Sequence, residues 1–283
     1  MGGAMVRCLL EAGHPVTVYD SSPEAVRRAV DLGAIAASSP KSVAEASEVV
    51  IASLPGPAEV ESVLLHSSEG ILAGLAPGGV FIDTTTNSPA AFRKFATVCR
   101  RRSVDILDAP VTGRPPNMTI MAGGDQPVFI KYRPLLEDMA ARVFYMGGIG
   151  QGMVAKAAHQ LIGFATFFGS VEALLLGTKA GLDLGTFVEM YTSHHGKTGQ
   201  WSRLAPAFKG VFTGYPIAMA LKDASMACEV AESTGVHAPM AQLMSEILEN
   251  AKNEGWGDQP FGNIVRALEQ QAGVELRLAA SEA

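Results

Sequence analysis

Within residues 147–160 (GGIGQGMVAKAAHQ) a glycine-rich turn leads into a helical pattern that carries an amine, an imidazole and a carboxamide. On a helix Lys156, His159 and Gln160 stand at i, i+3 and i+4, so the three groups share one face. A lysine there can take the proton of an alcohol as a base and return it as an acid, provided desolvation lowers its pKa toward neutrality. Gln160 can hold a substrate oxygen through its amide. His159 can do the same, or it can pack as a core histidine with its nitrogens satisfied. Gly152 and Gly163 fall near the same stripe and leave room for a ligand. A lone lysine is ordinarily a solvated surface residue. Here, however, residues 157–171 contain no Asp, Glu, Lys or Arg, so the helix reads as mostly buried, with Lys156 at its end near a domain junction.

Before that junction the pattern is α/β. Residues 3–12 put Met5, Leu9 and Ala12 on one helical face, and Gly13 follows as a stop. A strand over 15–20 (PVTVYD) ends on Asp20 and is followed by a helix over 23–32. Asp20 has two roles open to it. It can accept the ribose 2′-hydroxyl of NAD, repelling the 2′-phosphate of NADP, or it can cap the next helix. Neither Ser21 nor Ser22 is an arginine that could hold that phosphate, which favours NAD over NADP. A helix over 42–46 leads to an apolar strand over 49–54, broken at Pro55, and further strands read over 79–83 and 104–108. Apolar strands alternating with helices mean a mostly parallel sheet covered on both faces. Ligands of such sheets bind beyond the carboxyl ends of the strands, so Asp20, Leu54, Pro55, residues 84–86 and residues 110–113 are expected to line one crevice. A hairpin-like pair over 118–122 and 143–146, flanking a helix over 127–139, completes a dinucleotide-binding domain of residues 1–149.

From residue 150 the strand signals fade. Helical patterns cover 152–180, 184–193, 201–207, 218–235, 239–255 and 262–270, giving a helical substrate and oligomerisation domain over 150–283 with a frayed tail from Val274. The expected fold class is therefore α/β, a Rossmann-type doubly wound sheet followed by an all-helical C-terminal domain. The apolar surface of the helix over 157–176 exceeds what one small helical domain covers, so a dimer or higher homo-oligomer is expected.

The 283 residues suffice for two ordinary domains, and 48% hydrophobic content excludes global disorder. A net charge of −6 gives no electrostatic reason to expect nucleic acid. Cys8, Cys99 and Cys228 are odd in number, far apart and without ligand-spaced histidines, which fits inert thiols in a reducing cytoplasm and no metal. The uncharged run at 157–171 is shorter than the roughly 20 residues of a membrane span and contains His159 and Gln160, so it reads as a core helix, and no membrane partner is expected. The first residues, Met1-Gly2-Gly3, already begin a helix, whereas a dinucleotide fold needs a strand and a Gly-x-Gly turn just before it; a segment of about ten residues is expected to be absent.

Taken together, these motifs resemble the β-hydroxyacid dehydrogenases, the family of 3-hydroxyisobutyrate dehydrogenase and tartronate semialdehyde reductase, along essentially the whole chain. Met1-Gly2 resembles the end of the family's glycine-rich turn, with Gly2 as its third glycine. Residues 12–20 (AGHPVTVYD) match its next strand, and Leu54, Pro55 and Thr86 match positions that touch the cofactor. Residues 108–113 (DAPVTG) resemble the motif whose hydroxyl and backbone amides hold the substrate carboxylate, which implies that role for Thr112 and Gly113. Lys156 matches the catalytic lysine, Lys222-Asp223 the late pair near the nicotinamide, and residues 255–258 (GWGD) the closing motif.

The chain also departs from the family pattern. Thr112-Gly113-Arg114 stands where the family has Ser-Gly-Gly, and the loop to Met121 is shorter than is usual. Arg114 either reaches an anionic group with its bidentate guanidinium or faces solvent. His159-Gln160 replaces the common Asn-Asn or Asn-Gln, and a histidine there is similar to 6-phosphogluconate dehydrogenases, for which this chain is too short. Imine reductases are also relatives and typically lack the lysine. The resemblance implies hydride transfer between NAD(P), with NAD favoured, and a small anionic 3-hydroxy acid or its semialdehyde. The alternative is a non-catalytic or cofactor-deficient homologue of the same fold.

Overall fold

The computed structural model describes residues 1–193, 201–235 and 237–277. The chain separates into two compact units, Met1–Lys156 and Ala157–Ala283. In the first, elements alternate: α1 (Gly2–Glu11), β1 (Thr17–Val18), α2 (Pro23–Val30), β2 (Ile35–Ala36), α3 (Pro40–Glu45), β3 (Val49–Ala52), α4 (Pro57–Leu65), α5 (Ile71–Gly74), β4 (Val80–Asp83), α6 (Pro89–Arg101), β5 (Asp105–Asp108), β6 (Val111–Thr112), β7 (Thr119–Gly124), α7 (Gln126–Glu137) and β8 (Arg142–Gly147). Helices α2, α3 and α6 start on one shared signal. A serine at the N-cap (Ser22, Ser39, Ser88) accepts a first-turn N–H, and a proline follows it, where no donor is needed.

Strands β3, β4 and β5 pair in parallel, which explains their apolar runs. Phe81 and Ile106 face one core with Val60, Leu64, Phe92, Phe95 and Cys99. Val80, Ile82 and Leu107 face the other with Met5, Leu9, Phe129 and Leu136. Burial pushes the Cys99 thiol up to about 12, so it stays protonated and inert. Strands β1 and β2 form a two-stranded parallel sheet of their own. In the usual doubly wound order a further strand stands between these two groups; the described residues include no strand joining them.

Two expectations need correction in this unit, and one strand, β2, was not anticipated. Strands β7 and β8 are parallel, not a hairpin, because α7 carries the chain back across before β8 begins. The antiparallel partner of β7 is β6, in the stretch read as a loop, along with the end of β5. Strand β2 gave no apolar run because it is two residues long and both are exposed.

Helix α8 (Gln151–Lys179) crosses into the second unit, followed by α9 (Leu184–Thr192), α10 (Trp201–Phe208), α11 (Ile217–Thr234), α12 (Pro239–Ala251) and α13 (Ile264–Ala272). Phe261 is the hub of its core, with ring centroids 4.9 Å from Phe167, 5.6 Å from Phe164 and 5.8 Å from Tyr215. By length and composition α8 could cross a membrane. It is less buried than its uncharged sequence suggested: Phe164, Phe167, Phe168, Val171 and Leu174 enter the core, whereas Ile162 is 67% exposed and Gly169 and Ala173 lie open on the other side.

The tail does not fray at Val274. Leu276 is fully buried, its N–H donates to Glu269 Oε1 at 2.8 Å, and Arg277 Nη1 and Nη2 reach the two oxygens of that carboxylate at 2.6 and 3.3 Å. Lys179, at the end of α8, donates to the carbonyl of Ala272 at the end of α13. Arg277→Ala leaves the buried Glu269 short of its charged donor; discounting for the partly exposed arginine, the expected loss is about 1–2 kcal/mol, read as a lower urea midpoint at unchanged slope.

Candidate functional site

The start of α8 is built around a carboxylate from the sheet. Gly150, at the head of the helix, has no side chain to cap it and adopts φ +87°, a conformation that favours glycine. The first-turn N–H groups therefore need an acceptor from elsewhere. Asp108, at the end of β5, supplies it: Oδ1 accepts from the Gly150 N–H at 2.8 Å and Oδ2 from the Met153 N–H at 2.9 Å. The fit leaves no room for side chains. A Cβ on Gly152 would collide with the carbonyl of Met121 and stand 2.9 Å from Asp108 Oδ2, and one on Gly123 would stand 2.6 Å from Asp108 Oδ1. Lys156, one turn beyond Gly152, is 7% exposed. Burial raises the Asp108 pKa, while the helical N–H donors pull the other way.

Asp83 lies beside Asp108 in register on the neighbouring strand and is also buried. It accepts from the Thr85 N–H at 2.9 Å and from Asn87 Nδ2 at 3.2 Å. Thr85 Oγ1 in turn accepts the Leu54 N–H at 3.0 Å. The loop after β3 and the loop containing Thr86 are thus joined through Thr85, which Asp83 holds in place. Desolvation, the largest influence, pushes Asp83 up to about 6 against these hydrogen bonds.

The other sequence-derived residues fall as follows. Gly2 opens α1, and a Cβ there would meet the Ser53 side chain at 3.7 Å, so the head of α1 sits beside the end of β3. Asp20 is exposed past β1, and its Oδ1 accepts the Ser22 N–H at 2.8 Å, so it braces the turn that Ser22 then caps. Pro55 is exposed and Leu54 and Thr86 are half-buried. Thr112 lies on β6, opposite Thr119, with Gly113 at φ +83° and an exposed Arg114 after it. In the helical unit His159 is exposed and Gln160 half-buried. Gln160 Nε2 donates to Asp223 Oδ2 at 2.8 Å, and Lys222 Nζ lies 3.3 Å from Asp223 Oδ1. That second contact is an ion pair, not an aligned hydrogen bond.

The donor set suits a dinucleotide. No side chain caps α1, so the Gly2 end of the helix can present N–H groups to a phosphate, and Asp20 offers an exposed carboxylate to a ribose hydroxyl. Residues 1–147 match the profile of the NAD binding domain of 6-phosphogluconate dehydrogenase, and residues 150–268 that of the NAD-binding region of NADP-dependent 3-hydroxyisobutyrate dehydrogenase. A 3-hydroxyisobutyrate dehydrogenase of Pseudomonas aeruginosa is 33% identical over 276 residues, covering 90% of this chain and 92% of the relative. The chain belongs to the β-hydroxyacid dehydrogenase family. An NAD-dependent L-serine dehydrogenase of the same organism is 30% identical, with 96% of each chain covered. Among solved structures, the 3-hydroxyisobutyrate dehydrogenase of Mycobacterium tuberculosis with L-serine superposes with a TM-score of 0.82 at 27% identity, covering 95% of each chain.

Of the buried acids, Asp83 enters the sequence reading only as the last residue of a strand, Asp108 only as the first letter of a motif and Asp223 only as half of the Lys222-Asp223 pair. One signal was available for Asp108: a helix that opens on glycines without a capping side chain needs an acceptor from another element.

Two outcomes follow from these carboxylates. Gly152→Ala forces the helix head off the sheet and is expected to cost about 2–4 kcal/mol, comparable with an overpacked core, measured by chemical unfolding. Because Asp83 binds its proton more tightly when folded, its contribution makes stability fall as pH rises from about 4 to about 6 and level off above, by about 3 kcal/mol at most. Asp83→Asn should flatten that part of the stability profile, and an unchanged slope would refute the assignment.

Proposed function

We infer that the protein is an NAD(P)-dependent dehydrogenase of small anionic 3-hydroxy acids, working between the alcohol and its semialdehyde, with NAD preferred. The observation that carries this reading is the buried Lys156 on a helix head fastened by Asp108, four residues before Thr112 on the same chain segment. One side chain thus ties the strand leading to the proposed carboxylate-binding Thr112-Gly113 to the helix bearing the proposed acid-base.

The roles we assign are these. Gly2 and its neighbouring N–H groups hold the cofactor phosphates, Asp20 the adenosine ribose, and Leu54, Pro55, Thr86 and Lys222 further parts of the cofactor. When bound, the nicotinamide accepts or returns the hydride. Thr112 and Gly113 hold the substrate carboxylate, and Arg114 either reinforces that charge or faces solvent. Lys156, buried at the head of α8, takes the hydroxyl proton during oxidation and gives it back during reduction. Gln160 holds a substrate oxygen, with His159 beside it on the helix. The full-length relatives favour this reading over a cofactor-deficient homologue. We further place the protein in a reducing cytoplasm, with a second copy of the chain covering the open side of α8 around Ile162, Gly169 and Ala173.

Lys156→Ala should lose about 10²- to 10⁴-fold in kcat with the unfolding midpoint retained, and a variant of near-normal rate would overturn the assignment. For the cofactor, titration of nicotinamide fluorescence should give tighter binding of NADH than of NADPH, and Asp20→Ser should narrow the gap; equal affinities in the parent chain would remove the stated role of Asp20.

A further inference from the structure

Gln160 is held from behind. Its Nε2 donates to Asp223 Oδ2 at 2.8 Å, and Asp223 is only 6% exposed. An ionised carboxylate can only accept, so the amide nitrogen must be the end that faces it. Lys222 Nζ lies 3.3 Å from the other carboxylate oxygen, Oδ1. A primary amide is planar, with oxygen and nitrogen on opposite sides of the side-chain axis, so fixing Nε2 toward Asp223 directs Oε1 away from it. Gln160 stands one turn beyond Lys156 on α8 and is half-buried.

We propose that Asp223 is a positioning residue, which fixes the carboxamide of Gln160 so that its oxygen, an acceptor, is offered to a donor group of the substrate. An acceptor at that place recognises a hydroxyl or ammonium hydrogen and offers nothing to a carbonyl oxygen. It therefore favours the alcohol form of the substrate over its oxidised partner, and substrates with a donor near the reacting carbon over those without one. This inference rests on the dehydrogenase reading above and adds to it a residue that acts through Gln160.

The test is a double-mutant cycle on the full chain with Asp223→Asn and Gln160→Leu, using 3-hydroxyisobutyrate and L-serine as probes with NAD. Asp223→Asn lets the amide turn over, and kcat/KM for the better probe should fall about tenfold or more, as expected for a lost charge-assisted hydrogen bond. In the Gln160→Leu background the same change should alter kcat/KM by less than about twofold, since its target is gone. NADH affinity should stay within about twofold throughout, a readout that a general loss of structure would move. A second arm guards against poor folding. Gln160→Glu sets two carboxylates against each other and should be worse than Gln160→Leu, and adding Asp223→Asn should recover part of the loss by restoring a donor and acceptor pair.

An Asp223→Asn effect of equal size in both backgrounds overturns the proposal, as does a parallel fall in NADH affinity, which would mean that Asp223 acts through Lys222 or the cofactor. Absence of rescue in the Gln160→Glu arm overturns it equally. If the parent chain oxidises neither probe with NAD or NADP, the dehydrogenase reading fails and takes this inference with it. An active parent with additive variants defeats this inference alone.

Discussion

The structure of the N-terminal unit depends on one carboxylate placed under a helix that cannot cap itself. Asp108 leaves the end of β5 and accepts two N–H groups at the head of α8, at 2.8 and 2.9 Å. Helix heads carry partial positive charge and unmet donors, so an anion there is favoured. Burial disfavours the same anion, and the raised Asp108 pKa records that opposition. Glycine at 123, 150 and 152 is the geometric condition for the contact: a Cβ at 123 or 152 would strike Asp108 or its surroundings, and 150 needs a positive φ. The orientation of Lys156 follows from this arrangement, because it is fixed by the helix on which it stands.

Asp83 does for the loops after β3 and β4 what Asp108 does for α8. Two strand ends in register each terminate in a buried acid that gathers backbone donors, Asp83 from the segment that follows it and Asp108 from the head of α8. A parallel sheet leaves its carboxyl edge to irregular chain, and irregular chain that is buried must find partners for its amides. Buried aspartates meet that need at the cost of raised pKa values. Asp223 repeats the arrangement in the helical unit, where it holds the amide side chain of Gln160.

Much of the architecture was legible in the sequence, and each failure has a physical source. Strands β3, β4 and β5 announced themselves because both faces are covered, so the runs Val49 to Ala52, Val80 to Ile82 and Ile106-Leu107 are apolar. Strand β2 did not, since Ile35 and Ala36 are exposed and too few to set a period. Parallel pairing of β7 with β8 is a matter of topology, which spacing alone does not encode. The helices of the second unit were readable from their 3.6-residue pattern and glycine stops, but the docking of Leu276 was hidden: one buried leucine among charged neighbours carries no periodic signal. For the site, residue types that do chemistry stood out (Lys156, His159, Gln160), whereas those that hold chemistry in place did not, because a supporting aspartate looks the same in sequence as a solvated one.

The tail's place in the helical core bears on how the protein is made. Leu276 fills a core whose other members begin at Phe164, and Glu269 and Arg277 close over it. As the chain leaves the ribosome, the helical unit cannot complete its packing until Arg277 has emerged. The last described strand ends at Gly147, and domains generally fold as units in the order of their synthesis. Lys156 is therefore seated on its sheet while the second half of its own helix is still waiting for the residues that will bury it.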